Sequence, residues 1–389
     1  MTLATVTFIG GHIFDGEHLH DAKAAQFHDG VFVGLVPDSR ISATETVIDL
    51  NGDILSPGYV DLQVNGGGGV MFNDDPNLEK LKLIAEAHRS LGSASILPTL
   101  ITARSEKTTA AIDAVRMALN SNVPGIVGLH LEGPHLSVSR KGAHDASLIR
   151  PMTDADLHQL LAAKADIPVL KVTIAPESVT LNQVTTLVEA GILVSLGHSD
   201  TNFDTCRAYA EAGASCVTHL FNAMSQLGNR EPGLVGAALE LGLLSAGLIA
   251  DGIHVHPATM RAAWKGKTRP GRIFLVSDAM AVAGTEHIEF SLDDRRISRR
   301  DGRLILDDGT LAGADLDLTK AVNNVVNKVG IGVEDALRSA TSIPADIIGI
   351  SSGLIPGETN LADLNRISGD LAGLQPLEAT ADPEHLSNS

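Results

Sequence analysis

The sequence predicts an α/β fold, a (β/α)8 TIM barrel with a small β-sandwich domain built from the N-terminal and C-terminal segments, and three observations lead there. Eight short apolar runs recur along the chain, each closing on His, Glu, Asp, Asn or Gln. Between them lie stretches with apolar residues at helical spacing and a Gly stop, such as NLEKLKLIAEAHRSLG and NQVTTLVEAG. At 389 residues the chain also exceeds the roughly 250 of a bare barrel, so a further module is expected.

The runs are PGYVDLQVN (57–65), SILPTLIT (95–102), IVGLHLEGPHL (126–136), VLKVTIAPE (169–177), ILVSLGHSD (192–200), CVTHLFNAM (216–224), AGLIADGIHV (246–255) and IFLVSDAM (273–280). Apolar starts suit strands buried on both faces, and polar ends suit the carboxyl-terminal rim, where barrels of this type collect their chemistry. Residues 1–52 instead show short runs punctuated by Gly and Asp (ATVTFIG, HIFDG, AAQFHDGVFVGLV, ETVIDLNGD), which read as hairpins. The expected organisation is a first part of the small domain over 1–52, a barrel over 53–344, a return to the small domain over 345–375 and a disordered polar tail over 376–389.

Bulk properties narrow the function. With 29 basic and 47 acidic side chains, the formal charge of −18 disfavours nucleic acid and anionic membranes as partners. An anionic ligand therefore needs a local cluster of donors. No run is long enough to span a bilayer, and MTLATVTFIGGHIFDG lacks the basic start and cleavage site of a signal peptide, so a cytoplasmic enzyme is expected. Cys206 and Cys216 are too few for a disulfide framework and read as buried thiols.

Candidate site residues sit at the run ends. Glu132 precedes Gly133 and Pro134, which turn the chain and leave its carboxylate at the rim. His198 ends the fifth run and His219 lies within the sixth. Taken singly these residues are a rim ion pair, a loop histidine and a core histidine. One Glu and two His at the same end of one barrel can converge on a divalent cation, with a position open for water. Asp278 follows Ile273, Phe274, Leu275 and Val276, so its carboxylate stands in a confined place where a raised pKa is expected. Alone it reads as a helix N-cap; beside a metal it can act as base and then acid.

PGYVDLQVNGGGG, HLEGPHLSVSRKGAHD, GHS, THLFNAM, REPG, DGIHV, VSDAM and GTLAGADL follow one another in an order that resembles the N-acetylglucosamine-6-phosphate deacetylases of the amidohydrolase superfamily, from about residue 50 to 345. The resemblance implies a homodimeric enzyme of amino-sugar catabolism and cell-wall recycling that converts N-acetyl-D-glucosamine 6-phosphate to D-glucosamine 6-phosphate and acetate. It implies metal ligands at Glu132, His198 and His219, and an acid/base at Asp278. It places substrate contacts at Ala143, His144, Asn222, Ala223, Arg230, His254, Leu311, Ala312 and Gly313, with Arg230 and His254 reaching across the dimer. His144 is the candidate second donor to the acetamide oxygen; Asn222, the Ala223 amide and Arg230 suit a phosphate.

Two departures from that pattern stand out. Gln63 and Asn65 occupy the place where many amidohydrolases carry His-x-His for a second metal. Amides bind zinc weakly but hydrogen-bond well to water, so one divalent metal per subunit is expected: Zn first, with Fe or Mn sharing such ligands. GADLD stands where Gly-Ser more often follows the Ala, which bears on the contacts at Leu311 to Gly313. The alternatives are N-acetylgalactosamine 6-phosphate as substrate, a cyclic amide, or a catalytically inactive barrel serving as scaffold. Glu132, His198, His219 and Asp278 argue against the last, since a scaffold has no use for so costly a polar cluster.

Overall fold

The computed structural model describes residues 5–37, 46–292 and 295–377. Of the expected tail over 376–389, residues from 378 onward lie outside the described residues, whereas Pro376 ends the strand Leu374–Pro376 and Leu377 is buried against the small domain, where its N–H donates to the Leu364 carbonyl. Eight parallel strands follow in chain order: β1 (Tyr59–Val64), β2 (Ser93–Ile101), β3 (Leu129–Glu132), β4 (Leu170–Ile174), β5 (Leu193–Leu196), β6 (Cys216–Val217), β7 (Ser245–Leu248) and β8 (Ile273–Leu275). Each falls on one of the eight apolar runs. Neighbours pair in sequence order from β1 to β8, and a parallel bridge between Val64 and Ala279 brings the last strand back to the first.

Helices α1 (Leu78–Ser90), α2 (Ser105–Asn120), α3 (Asp154–Asp166), α4 (Leu181–Glu189), α5 (Phe203–Glu211), α6 (Gly233–Glu240), α7 (Pro257–Gly266) and α8 (Leu318–Asn324) wrap the barrel. Their starts are legible in the residues. Asn77, Thr153, Thr180, Asn202 and Asp317 each cap a helix by accepting from a first-turn N–H, and Thr153 and Thr180 form reciprocal capping boxes with Asp156 and Gln183. Strand and helix side chains share one core that includes Leu62, Leu131, Val172, Val194, Val217, Leu248 and Phe274.

The small domain is two sheets around a second core of Val6, Phe8, Ile13, Phe27, Phe32, Ile48, Leu55 and Leu364. One sheet orders Val31–Pro37, Lys23–His28, Thr5–Ile9 and Thr46–Asp49. The other orders Leu374–Pro376, Leu364–Ile367, Ile54–Pro57, His12–Phe14 and Leu19–His20. The hairpin in AAQFHDGVFVGLV turns at Asp29 and Gly30, both at positive φ (51° and 77°), as a two-residue primed turn requires. Ile54–Pro57 differs from the expected boundary at 53. It pairs antiparallel with Leu364–Ile367 in the small domain, because the apolar pattern runs unbroken through Gly58 and hides the change of sheet.

One element was not expected. After β8 the chain forms a four-stranded antiparallel sheet, Glu289–Leu292, Arg295–Arg300, Arg303–Leu306 and Leu311–Ala314, over a third core of Met71, Ile101, Met280, Leu292, Ile297 and Leu304. It stands on the carboxyl-terminal rim, and its last strand returns to β8 through Ala314 N–H, which donates to the Asp278 carbonyl at 2.9 Å. No helix of the described residues is long and apolar enough to cross a membrane.

Candidate metal and catalytic centre

Strand ends bring Glu132, His198 and His219 to one point. Glu132 Oε1 lies 3.1 Å from His198 Nε2 and 3.1 Å from His219 Nε2, and the two nitrogens are 3.0 Å apart. All three side chains are buried. His198 and His219 reach this triangle only because their backbones leave the strand in the left-handed region, at φ 47° and 32°. Side chains other than Gly and Asn rarely do so, and the cost is on the order of 1 kcal/mol or more each.

The triangle fits a divalent cation. One carboxylate and two imidazoles are a common donor set for zinc and iron, and three protein ligands leave coordination positions open. His198 Nδ1–H donates to the Arg140 carbonyl at 2.8 Å, which leaves Nε2 with its lone pair toward the triangle. Burial would raise the Glu132 carboxyl, but hydrogen bonds and charge from His198 and His219 hold it well below the usual carboxylate range. Burial lowers His219, yet Glu132 outweighs it and raises the imidazole overall. Three acceptor atoms at such spacing repel unless a proton or a cation sits among them.

Asp278 faces the same space, and its φ of 50° again departs from the strand. Its Oδ1 accepts from Asn65 Nδ2 at 2.7 Å and from Gln63 Nε2 at 3.1 Å. The same Gln63 amide donates to Glu132 Oε2 at 3.2 Å, so one NH2 group ties the two carboxylates together. Gln63 Oε1 and Asn65 Oδ1 are buried with no protein partner; such oxygens accept from water in a polar site. Burial, with repulsion from Glu132 next, raises the Asp278 carboxyl.

His144 completes the wall. Thr102 N–H donates to its Nδ1 at 3.3 Å, and Thr102 Oγ1 lies 2.8 Å from the same nitrogen. That contact places the hydrogen of the neutral ring on Nε2. Burial, then the neighbouring His198, pushes His144 well below the usual imidazole range, which keeps it neutral and a donor.

These groups share one cleft of about 280 Å³ lined also by Asn222, Ala223, His254, Leu311 and Gly313. A wider cleft of about 370 Å³ at the opposite end of the barrel, around Arg89 and Asn365, holds no comparable constellation, so chemistry rather than size singles out the site. Two placements differ from expectation. His254 lines the cleft of its own chain, alongside Asp278 and His219, and does not need a partner subunit to arrive there, because the turn after β7 folds over its own barrel mouth. Ala312 is fully buried in the rim sheet's core; strand alternation turns its methyl away while Leu311 and Gly313 face the cleft. Arg230 is exposed on the loop before α6 and does not line this cleft.

Sequence reasoning missed Thr102 and Arg140, which orient His144 and His198, because a threonine and a backbone carbonyl leave no signature. It missed the apolar wall of Ile101, Ile249, Met280 and Leu292, since each reads as core.

Residues 54–383 match the amidohydrolase family, and the chain belongs to it. The relatives within that family are narrower in kind. An N-acetylgalactosamine-6-phosphate deacetylase of a Shewanella species is 42% identical over 87% of this chain and 86% of its own length. An N-acetylglucosamine-6-phosphate deacetylase of Haemophilus influenzae is 36% identical over 83% and 84% respectively. Among solved structures, N-acetylglucosamine-6-phosphate deacetylase of Pasteurella multocida superposes with a TM-score of 0.88 at 34% identity, covering 94% of this chain and 96% of that one. A variant of the Mycobacterium smegmatis enzyme in complex with N-acetyl-D-glucosamine-6-phosphate follows at 0.86 and 28%, covering 96% and 97%. The chain is thus an amidohydrolase whose similar relatives are amino-sugar-6-phosphate deacetylases.

Proposed function

We propose that the protein hydrolyses the acetamide of N-acetyl-D-glucosamine 6-phosphate to D-glucosamine 6-phosphate and acetate, in the cytoplasm, using one divalent metal held by Glu132, His198 and His219. The observation that carries this reading is the shared Gln63 amide, which fixes the Asp278 carboxylate beside the ligand triangle without neutralising it by a cation. When bound, the metal polarises the acetamide oxygen and makes water acidic enough to attack at neutral pH. Asp278, with a raised pKa, is the base that takes the proton from that water. The buried amide oxygens of Gln63 and Asn65 accept from the water and orient it. His144 Nε2–H donates to the oxygen that gains charge as the carbonyl carbon becomes tetrahedral. Asp278 then returns its proton to the amine nitrogen, and the C–N bond breaks to give acetate and the free amino sugar.

Substrate selection falls to the rest of the cleft. His254 suits a sugar hydroxyl, Leu311 and Gly313 border the sugar, and Asn222 with the Ala223 amide suits the phosphate. We place Arg230 of a second subunit beside them, which makes the working form a homodimer. Zinc is the favoured ion, with iron or manganese compatible with the same donors. The Shewanella relative at 42% identity favours a second reading of the substrate, the galacto epimer at carbon 4. Acetate release measured side by side from the two 6-phosphates and the two free N-acetylhexosamines decides both questions. Turnover restricted to the gluco 6-phosphate is the expected result; a preference for the galacto compound selects the second reading, and no release from any of the four overturns the proposal.

A further inference from the structure

Bordering the cleft, His254 pairs with Asp251, and neither residue takes part in the proton transfers of the hydrolysis. His254 lies in the Asp-Gly-Ile-His turn after β7; its side chain is 9% exposed and its Nδ1 sits 2.6 Å from Oδ2 of Asp251. The other oxygen, Oδ1, accepts from the backbone N–H groups of Ile253 and His254, each at 2.8 Å. Holding the turn therefore occupies one carboxylate oxygen only. A Ser or Asn would suffice for that task, whereas here the second oxygen is committed to the ring.

The protonation pattern follows from the donors and acceptors. Burial would raise the Asp251 carboxyl, but the His254 hydrogen bond, the His254 charge and the two backbone N–H groups more than offset it and lower the group overall. An ionised carboxylate only accepts, so His254 Nδ1 must carry a hydrogen. Nε2, on the far side of the ring, is the nitrogen left for a ligand in the cleft. The turn is also tied to α8: Asn324 Nδ2 donates to the carbonyl of Ala250, the residue before Asp251, at 2.9 Å.

We propose that Asp251 is a positioning residue for sugar recognition. It fixes His254 with the hydrogen on Nδ1 and turns Nε2 toward a hydroxyl of the bound hexosamine phosphate. The inference rests on the proposed sugar-phosphate substrate for its consequence, and on the 2.6 Å contact for its geometry.

Asp251→Asn is the discriminating variant. Its amide oxygen can still cap the turn, while its NH2 group faces Nδ1, makes that nitrogen an acceptor and moves the ring hydrogen to Nε2. Nitrogen-15 imidazole spectra of the metal-loaded protein at pH 8, with the His254 signal assigned by its loss in His254→Ala, should show a hydrogen on Nδ1 in the native protein and on Nε2 in Asp251→Asn. A native spectrum in which Nδ1 lacks the hydrogen overturns the proposal without recourse to any Asp251 variant. In the acetate-release assay, Asp251→Asn should lower kcat/KM about 10-fold in the native background and less than about 2-fold in His254→Ala, because the effect passes through the ring. An equal loss in both backgrounds makes Asp251 a turn cap alone and refutes the role. If no hexosamine phosphate is hydrolysed at all, the functional reading fails by itself, while the spectra still decide the Asp251–His254 arrangement.

Discussion

Asp278, His198 and His219 share left-handed backbones of φ 50°, 47° and 32°, and at each position the conformation aims a side chain that an ordinary strand end would misdirect. They were legible in the sequence only together, because each alone reads as a loop or core histidine or a helix cap, while a Glu, two His and an Asp at the ends of runs on one barrel rim can converge. The conformation was not legible: nothing in GHSD, THLFNAM or VSDAM announces positive φ at a residue other than Gly. Asp278→Asn keeps the acceptor for Asn65 but cannot carry protons, so kcat should fall by at least about 10²-fold while elemental analysis still finds metal. Near-normal turnover would move the acid/base role to another group, with His144 next in line. Replacing His198 or His219 by Ala leaves two ligands, and we expect metal content to fall to background after dialysis. The native protein should retain a single equivalent, since Gln63 and Asn65 are occupied by Asp278 rather than by a second ion. Two stoichiometric metals in active protein would contradict that expectation.

The eight barrel strands were readable because each falls in a short run of mostly apolar residues closed by a polar one, even β6, which shrinks to Cys216–Val217. The rim sheet was not, since RRISRR carries charge where a buried strand would alternate, and its apolar face is shared with Met71 and Met280 from elsewhere in the chain. Its last strand nonetheless decides the shape of the cleft. Gly313 has φ 63°, and a methyl there would meet Met280 Cγ at 2.5 Å and the Asp278 carbonyl at 2.8 Å. Gly313→Ala should therefore cost much more kcat/KM than Gly309→Ala, whose φ is similarly positive at 86° but which has nothing within 4 Å. The seam between β1 and β8 depends on another side chain. Asp61, fully buried, accepts from Ser277 N–H at 3.2 Å through both oxygens and from Gln63 N–H at 3.2 Å. Burial pushes its carboxyl up to about 7 against those hydrogen bonds, with the charge of Asp278 adding a smaller raise. An unfolded Asp loses its proton near pH 4. From there to about pH 7 the folded chain holds a proton the unfolded chain has released, so stability falls as pH rises, by at most about 1.4 kcal/mol per unit. Above that range Asp61 contributes no further slope. Denaturant titrations from pH 5 to 8 should show the native protein declining relative to Asp61→Asn and then running parallel to it; parallel curves throughout would mean the carboxylate is ionised across the range.

For the whole molecule the decisive quantity is charge: a formal −18 opposes any phosphorylated substrate until local donors overcome it. Among the described residues that line the cleft, none is Lys or Arg, although a phosphate dianion bound away from bulk water calls for a guanidinium or ammonium group. Arg230 is the natural source, yet it stands exposed on its own loop, which is the arrangement expected if it serves the neighbouring subunit. Sequence resemblance implies that both Arg230 and His254 reach across a dimer, but His254 lies inside its own cleft, so Arg230 alone is left as the proposed contribution from a second subunit. Arg230→Ala should remove charge-assisted bonds worth about 1.5 to 3 kcal/mol, or roughly 10- to 150-fold in kcat/KM on the 6-phosphate, and far less on the free sugar. Mixing Arg230→Ala with Asp278→Asn under conditions that exchange subunits gives the direct test. In a hybrid dimer the barrel that keeps Asp278 receives an intact Arg230 from its partner, so one complete site should return and activity should rise above that of either parent. Exchange confirmed by mass labelling without such a rise would place Arg230 in its own subunit or away from substrate altogether, and the cation that holds the phosphate would then have to be sought among Lys141 and Arg295, which flank the Gly142–His144 segment through the Gly142 and Ala143 carbonyls.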